Sequence, residues 1–278
     1  MVLISNAKIN LTLKVNSKSK NNLHEIQSFF CLIDLADKIQ IKRITKKKDK
    51  IIFKGPFAKL INKSNNSILN LLKLLRNLRL ISNFYSVTIL KNIPIFAGLG
   101  GGTGNAAFLM KYLLKKKVDK SLLNQAERIA GSDLKLFFHK QGFLKNLKKI
   151  ETFKKKQKFY FVLAKPTIKC STKEIYSKVK KFSKKEKFNK NMMRKKNKFV
   201  AYLSKNRNDL QFIVERKYPQ IKKLLKDIKN EKECCFSRMT GSGSVCYGLF
   251  NNQKNAKKAF INLKYKYPKI WFSLAKTV

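Results

Sequence analysis

The sequence feature that most restricts the fold is one glycine-rich run, Ala97-Gly98-Leu99-Gly100-Gly101-Gly102-Thr103-Gly104-Asn105-Ala106-Ala107. Alternating polar and apolar residues before Pro94 are typical of a β-strand, and a helical pattern begins at about Thr103. Glycine has no Cβ, so backbone N–H groups can approach a phosphate closely, and the start of a helix offers free N–H groups beside the positive end of its dipole. The run therefore predicts a phosphate-binding loop, with an ordinary glycine-rich loop as the alternative.

The run differs from two well-known nucleotide-binding loops. It lacks the Gly-Lys-Ser or Gly-Lys-Thr ending of a P-loop. It also lacks the wider glycine spacing of the dinucleotide-binding fingerprint and the acidic residue at the end of the next strand. A second glycine motif, Thr240-Gly241-Ser242-Gly243-Ser244, is either a tight turn between strands or a second wall around the same anionic ligand.

Two single residues are further candidates for chemistry. Lys8 lies in an apolar strand pattern, and a lysine in such a place needs a partner or a cavity. Asp133 follows Gly131 and Ser132 at the end of a predicted helix, where an aspartate is most often a cap. Neither residue identifies a function by itself.

The 278 residues, 44% of them hydrophobic, suffice for one large or two medium domains with a packed core. No stretch reaches the roughly 20 apolar residues of a membrane span, and the short apolar start lacks the features of a signal peptide. We therefore expect a cytoplasmic protein without membrane partners. Five cysteines without Cys-x-x-Cys spacing, together with two histidines, argue against a disulfide framework and a zinc site.

The formal net charge of +49 has two explanations. One is a polyanion partner, because clustered Lys and Arg bind nucleic acid through its phosphates. The other is codon bias, because Lys, Asn, Ile and Phe all have A/T-rich codons and are abundant throughout this chain. The lysines occur in every part of the chain and form no recognisable nucleic-acid module. We therefore favour codon bias and expect no specific nucleic-acid partner.

Strand and helix patterns follow one another without the regular βαβ repeat, which predicts an α+β fold. A lysine-rich stretch at 148–158 marks a predicted boundary between two domains, 1–155 and 156–278. The patterns also predict helices over 64–80 and 209–229, the second interrupted by Pro219, a hairpin over 137–147, and a mobile loop or solvated helix over 180–198.

Five segments resemble the GHMP kinase superfamily, whose members include galactokinase and homoserine, mevalonate and phosphomevalonate kinases. In chain order they are Ala7–Leu11, His24–Ser28, Ala97–Ala107, Pro166–Tyr176 and Thr240–Gly243. The glycine-rich segment is the most specific of the five. The resemblance implies a two-domain GHMP kinase-like fold with a cleft between the domains. Its N-terminal ATP-binding domain is ribosomal S5 domain 2-like, and its C-terminal domain is ferredoxin-like.

The triple glycine followed by Asn-Ala-Ala is closest to the branch that phosphorylates a cytidine diphosphate methylerythritol in the non-mevalonate isoprenoid precursor pathway. This resemblance implies transfer of the γ-phosphate of ATP to the 2-hydroxyl of the methylerythritol unit, with Mg²⁺ as the accompanying metal. The alternatives are another GHMP small-molecule kinase, of the homoserine or mevalonate type, and a basic nucleic-acid-binding protein with an S5-like domain. The oligomeric state and the metal ligands do not follow from the resemblance.

The resemblance also implies a role for each matching position. Asp133 would accept the hydroxyl proton, and Lys8 would neutralise charge beside it and beside the transferred phosphoryl group. His24 would hydrogen-bond the cytosine ring, and Tyr176 would stack on it. The residues implied to surround ATP are Pro94, Ala97, Gly98, Leu99, Gly100, Gly101, Gly102, Thr103, Gly104 and Asn105. The other residues implied to bind the substrate are Asn10, Thr172, Gly241, Ser242 and Gly243.

The chain departs from the family pattern at five places. Leu23 replaces the aromatic residue that usually precedes the motif histidine, and Phe96 replaces a common glycine. Gly104 replaces a hydroxyl residue, and Lys135 replaces a proline. Residues 145–149 lack the Gly-x-Gly-Glu usual after the following strand. Whether these departures reduce activity stays open at the level of sequence.

Overall fold

The computed structural model of the protein describes residues 1–19, 24–115, 118–153, 156–187, 193 and 195–278. These residues form a mixture of strands and helices, which confirms the predicted α+β class. Their contacts divide into two compact units, each made of several stretches of chain. Unit 1 contains residues 1–8, 35–95 and 100–139, and unit 2 contains residues 9–34, 96–99 and 140–278. The predicted boundary at 155/156 is a different division and stays a prediction.

Unit 1 combines strands with helices that follow its glycine-rich segment. Its elements are most of β1 (Val2–Asn10), the second half of β3 (His24–Ile44), β4 (Lys50–Lys54), α1 (Ser67–Asn77), β5 (Phe84–Leu90), α2 (Gly101–Leu114), α3 (Lys120–Ala130) and the 3-10 helix Leu134–Phe138. Strand β5 pairs antiparallel with β3 and parallel with β4. In this half of β3, buried and exposed residues alternate, so one face of the strand lies in the core.

Unit 2 contains a four-stranded antiparallel sheet with helices packed on it. Its elements are β2 (Lys14–Lys18), the first half of β3, β6 (Gln141–Asn146), β7 (Lys149–Thr152), β8 (Tyr160–Lys165), α4 (Thr172–Ser177), α5 (Lys196–Lys205), α6 (Asp209–Lys217), α7 (Pro219–Asn230), β9 (Phe236–Met239), β10 (Cys246–Phe250), α8 (Gln253–Lys266) and β11 (Trp271–Lys276). The sheet has the order β11-β8-β10-β9. Rings of Phe161, Phe236 and Tyr247 meet edge-on in its core.

Local chemistry explains where several helices begin. The Asn66 side chain accepts a hydrogen bond from the Leu69 N–H and caps α1, so this helix is shorter than the predicted 64–80. The predicted helix over 209–229 is two helices, because Pro219 stands at the first position of α7 and Tyr218 before it is not helical. Helix α2 begins at Gly101, two residues earlier than predicted.

Two other sequence predictions differ from the structure. The hairpin over 137–147 was wrong, because residues 134–138 form the 3-10 helix and the hairpin consists of β6 and β7. Its turn is fixed by the Asn146 side chain, which accepts a hydrogen bond from the Lys148 N–H. In the stretch 180–198, the described residues before 188 contain no helix, and α5 begins at Lys196. No helix among the described residues is long and apolar enough to cross a membrane.

Candidate active site

An ion pair between Lys8 and Asp133 is the centre of the candidate site in unit 1. Lys8 Nζ lies 2.8 Å from Asp133 Oδ2. The Lys8 side chain is only 3% exposed, whereas that of Asp133 is 28% exposed. A buried ammonium group needs a counter-charge, and the carboxylate provides it while part of its own surface reaches solvent. The structure thus brings together the two residues that the resemblance implied to be catalytic.

Asp133 does not act as a helix cap. It precedes the 3-10 helix Leu134–Phe138, and its side chain makes no capping hydrogen bond there. The chain turns just before it, where Gly131 ends α3 with φ +119. The usual interpretation of an aspartate at a helix end is therefore wrong for this residue, whose carboxylate pairs with Lys8 instead.

Helix α2 begins inside the glycine-rich run and close to this ion pair. Gly100 is the N-cap, in the left-handed region with φ +68, and the Gly104 N–H donates to its carbonyl at 2.7 Å. The N–H groups of residues 101–103 precede that bond and have no acceptor within the helix. Lys8 Cε lies 3.3 Å from the place that a Cβ would occupy on Gly100. Free backbone donors, a cation and a carboxylate are thus neighbours in unit 1.

The glycines of the run serve different purposes. Gly98 has φ +71, and a Cβ there would lie 2.1 Å from the Thr240 carbonyl oxygen, so the fold itself requires glycine. Gly102 is exposed and helical, and a Cβ there would meet only Ser67 Oγ, at an ordinary 3.5 Å. Gly102 therefore leaves open surface beside free helix N–H groups without being needed for packing.

In unit 2 the start of the glycine-rich run, at residues 96–99, lies against the second glycine motif. The Ser244 N–H donates to the Phe96 carbonyl at 3.2 Å, and the Val245 N–H donates to the Ala97 carbonyl at 3.3 Å. Backbone hydrogen bonds therefore join the second motif to the first. The second motif is thus both the connection between β9 and β10 and a neighbour of the first motif. That the two motifs enclose one anionic ligand stays a prediction.

Three rings form a cluster elsewhere in unit 2. The His24 ring centroid lies 5.0 Å from that of Tyr176 and 6.5 Å from that of Phe182, and Phe182 is 47% exposed. Burial and then the nearby charge of Lys18 lower the pKa of His24, so its imidazole is neutral near pH 7 and offers one donor and one acceptor. Sequence reasoning found His24 and Tyr176 but missed Phe182, which stands in a lysine-rich stretch without a motif.

The other residues implied to bind substrate also lie in unit 2. Thr172 Oγ1 and Ser242 Oγ share a hydrogen bond of 2.8 Å. Asn10 is 1% exposed, and its Nδ2 donates to Ser28 Oγ at 2.8 Å. A Cβ on Gly241 would lie 3.4 Å from Asn10 Oδ1, so the second glycine motif passes directly over this side chain.

A cavity of about 960 Å³ adjoins the three-ring cluster at Phe182. Among the described residues, six cationic ones line it, namely Lys178, Lys180, Lys181, Arg207, Arg216 and Lys217. Phe182 and Phe212, both exposed, add aromatic surface, and Asp209 is the one acidic residue among the described lining residues. Cations combined with phenyl rings suit a ligand that carries both phosphate and an aromatic base.

Comparisons with known proteins agree with this geometry. Residues 188–269 match the family model described as GHMP kinases C terminal. A protein of Pelagibacter ubique (strain HTCC1062) named 4-diphosphocytidyl-2-C-methyl-D-erythritol kinase is 40% identical over 280 residues, which cover 99% of this chain and 98% of that protein. The chain belongs to the 4-diphosphocytidyl-2-C-methyl-D-erythritol kinase family. Another protein of that name, from Wolbachia pipientis wMel, is 32% identical over 95% of this chain and 94% of its own length.

Solved structures show the same fold. A crystal structure of 4-(cytidine 5'-diphospho)-2C-methyl-D-erythritol kinase has a TM-score of 0.75 at 21% identity and covers 99% of both chains. The crystal structure of homoserine kinase from Cytophaga hutchinsonii ATCC 33406 has a TM-score of 0.70 at 14% identity, covering 100% of this chain and 94% of that one. These structures confirm the expected GHMP kinase fold, and the full-length similarity to proteins named as kinases confirms the expected class of small-molecule kinase.

The structure shows the surroundings of three departures from the family pattern. A Cβ at Gly104 would lie 2.9 Å from the Phe137 ring, so this side of α2 has no room for a hydroxyl residue. Lys135 pairs with Glu127 at 3.0 Å. Phe96 has φ +51, a conformation that explains why glycine is common at this position. Leu23 lies outside the described residues.

Two residues of the run are engaged within the protein. The Thr103 hydroxyl donates to the Ala130 carbonyl at 2.7 Å and links α2 to the end of α3. Asn105 is 2% exposed, and its Nδ2 donates to Asp37 Oδ2 at 2.9 Å. Their implied contacts with ATP stay predictions for this member of the family, whereas these internal hydrogen bonds are part of its structure.

Proposed function

We propose that this chain transfers the γ-phosphoryl group of ATP to the 2-hydroxyl of 4-diphosphocytidyl-2-C-methyl-D-erythritol, a step in the non-mevalonate isoprenoid precursor pathway. The full-length similarity to proteins of that name supports this substrate. The observation that carries the proposal is the buried Lys8–Asp133 ion pair beside the start of α2. We also propose that the enzyme acts in the cytoplasm.

Phosphoryl transfer asks a protein chiefly for positioning and charge stabilisation. The substrate hydroxyl oxygen attacks the γ-phosphorus, the bond to the bridging oxygen breaks, and ADP leaves. In our proposal Asp133 accepts the hydroxyl proton, for which it needs only hydrogen-bond reach of the substrate. Lys8 holds this carboxylate in place at 2.8 Å and offsets negative charge on the transferred group.

The ATP phosphates would be held by the start of α2. The N–H groups of residues 101–103 have no acceptor in the helix, and the positive end of the helix dipole adds to their attraction for anions. Gly102 leaves the approach to these groups open. Backbone donors of this kind need no charged side chain, which fits a loop without the lysine of a P-loop.

The cytosine base would be received by the three-ring cluster. Tyr176 and Phe182 offer aromatic surfaces on which a base can stack, and the neutral His24 can hydrogen-bond the edge of the ring. Thr172 and Ser242 present two hydroxyl groups that suit the polyol or the diphosphate. The adjoining cation-lined cavity favours an anionic ligand at this end of unit 2.

We propose that Mg²⁺ accompanies ATP. Among the residues with described positions, no three His, Cys, Asp or Glu side chains converge on one point. In ATP-dependent enzymes Mg²⁺ is usually held by phosphates, waters and one or two carboxylates, so no all-protein cage is needed. The ion would neutralise phosphate charge.

The decisive experiment measures ADP formation by the purified protein with Mg-ATP and the cytidine diphosphate methylerythritol. Homoserine and mevalonate serve as competing acceptors. We expect turnover with the cytidine substrate alone. Turnover with homoserine or mevalonate but not with the cytidine substrate would assign the chain another acceptor, and polynucleotide binding without any kinase activity would remove the enzyme proposal.

The variant Asp133→Asn tests the proposed base. We expect it to abolish transfer to the substrate while ATP binding largely survives, because the carboxamide keeps the shape but cannot accept the proton. Asp119→Asn is the matched control, because the Asp119 carboxylate caps α3 by accepting from the Leu122 N–H at 2.7 Å. This control should keep normal turnover. Turnover of Asp133→Asn at the wild-type rate would show that another group is the base.

A further inference from the structure

A carboxylate that the proposed chemistry does not use is completely buried in unit 1. Asp37 lies on β3 and is 0% exposed. Its Oδ1 accepts hydrogen bonds from the backbone N–H groups of Asn92 and Ile93, both at 2.8 Å. These residues belong to the stretch of chain that leads from β5 into the glycine-rich run.

The other carboxylate oxygen is occupied as well. Asp37 Oδ2 pairs with the Lys91 ammonium group, which is itself 2% exposed, and accepts from Asn105 Nδ2 at 2.9 Å. Four donors therefore surround one buried carboxylate, which is the arrangement that makes burial of such a charge tolerable. We call Asp37, Lys91, Asn92, Ile93 and Asn105 the Asp37 cluster.

The cluster holds the glycine-rich run at both ends. Residues 91–93 lie shortly before the run begins at Ala97, and Asn105 lies in the second turn of α2, just after the last glycine of the run. Lys91 Nζ also lies 3.2 Å from the place that a Cβ would occupy on Gly101, the first residue of α2. The Asp37 side chain thus binds residues on both sides of the glycines, and its partner Lys91 lies beside the first residue of α2.

We propose that Asp37 is a positioning residue for ATP, which rests on the proposed function of the glycine-rich run. By holding both ends of the run, it keeps the N–H groups of residues 101–103 aimed at one point. Displacements of about 1 Å in such a site can cost on the order of a hundredfold in rate. Loss of the Asp37 carboxylate should therefore affect ATP far more than the cytidine substrate.

Unit 1 offers a matched control for this proposal. Asp49 is also an aspartate with a largely buried side chain, 6% exposed. It pairs with Arg76 at 3.1 Å and accepts from the Tyr85 N–H at 2.8 Å, so it links α1 to β5. These partners all lie before the glycine-rich run and outside it. Asp49→Asn reports the cost of disturbing a buried ion pair without disturbing the run.

The experiment compares Asp37→Asn with Asp49→Asn in thermal unfolding and in KM for both substrates. In Asp37→Asn the new NH₂ group replaces an acceptor oxygen and faces the donor groups of Lys91 and Asn105, with which it cannot form hydrogen bonds. We expect both variants to unfold at lower temperature, but only Asp37→Asn to raise KM for ATP, by about tenfold or more. KM for the cytidine substrate should stay within about twofold in both. Equal ATP KM values in the two variants would overturn the proposal.

A second variant covers the case in which Asp37→Asn fails to fold. Asn105→Leu removes one donor of the cluster and keeps nearly the same shape. Hydrogen exchange of the amides of residues 98–104 is then measured in ATP-free protein. Positioning predicts faster exchange than in the wild type. Unchanged exchange together with a raised ATP KM would instead show that Asn105 contacts ATP directly, and would refute the positioning role. Because exchange needs no turnover, this result does not depend on the identity of the phosphate acceptor.

Discussion

Replacing single glycines by alanine should separate the part of the glycine-rich run that the fold needs from the part that ATP needs. In Gly98→Ala the new Cβ would lie 2.1 Å from the Thr240 carbonyl oxygen, at a residue with φ +71. The left-handed conformation costs an alanine about 1–2 kcal/mol. Relief of the overlap costs about 1–3 kcal/mol more. We expect Gly98→Ala to lower the free energy of unfolding by about 2–5 kcal/mol.

Gly102→Ala should have the opposite effect on stability. The site is exposed and helical, and its nearest new contact, Ser67 Oγ at 3.5 Å, is an ordinary one. Alanine in a helix is favoured over glycine by about 0.5–1 kcal/mol, so the variant should be as stable as the wild type or slightly more stable. If phosphate approaches the helix here, the methyl group obstructs a hydrogen bond to a charged group. Such a bond is worth about 1.5–3 kcal/mol, and KM for ATP should rise by about tenfold or more.

Urea unfolding followed by circular dichroism gives the two free energies, and initial rates at varied ATP give KM. We expect Gly98→Ala to be destabilised, and we expect Gly102→Ala to be stable but to have a raised KM for ATP. Equal losses of stability in the two variants would refute the structural argument. A stable Gly102→Ala with wild-type KM for ATP would refute the proposed place of the phosphates.

Three further predictions follow from single contacts. Tyr176→Ala should weaken binding of the cytidine substrate by the free energy of base stacking, about 1–3 kcal/mol, and so raise its KM without changing KM for ATP. The control variant Tyr265→Ala, which removes a 90% exposed ring, should change neither KM in initial-rate measurements. Thr103→Val should lower the free energy of unfolding by about 1 kcal/mol because it removes the hydrogen bond to the end of α3. Thr103→Ser keeps the hydroxyl group and should retain most of the wild-type free energy of unfolding, which urea unfolding measures for both variants. Burial, aided by nearby lysines, lowers the pKa of both His24 and His139. As the pH falls, the two histidines therefore bind protons in the unfolded chain before they do so in the folded chain. The free energy of unfolding should fall as the pH drops below about 6.5. His139→Gln should show a smaller fall between pH 7.5 and 5.5, and an unchanged pH profile would count against burial as the cause.

The parts of this fold that depend on local sequence could be predicted. The run of glycines between a strand pattern and a helical pattern indicated the start of α2 to within two residues. The second glycine motif was recognised, but whether it met the first was open, because their contact depends on backbone groups far apart in the chain. Family resemblance, rather than any local pattern, predicted that Lys8 and Asp133 act together.

Asp37 shows why other parts escaped prediction. Residues 37–44 alternate between polar and apolar side chains, which is typical of a strand, and Ile39 and Ile41 lie on the buried face. Because side chains two residues apart share a face, the same alternation places Asp37 on that buried face. A buried carboxylate needs several donors, and these come from residues 91–93 and from α2, whose proximity no pattern in β3 reveals. The signal was the position of the aspartate in the alternation, whereas its partners required the tertiary structure.

The open surroundings of Gly102 are notable because the chain has only 11 glycines. Every glycine codon begins with two guanines, so the codon bias that we favour as the explanation of the composition would work against glycine throughout the sequence. The other ten glycines each have a positive φ or a neighbour that leaves no ordinary room for a Cβ. The folded state therefore accounts for glycine at those ten positions. Gly102 has neither constraint, so the packing of the described residues gives no reason for glycine there, and room for a bound nucleotide is the reason that our proposal supplies.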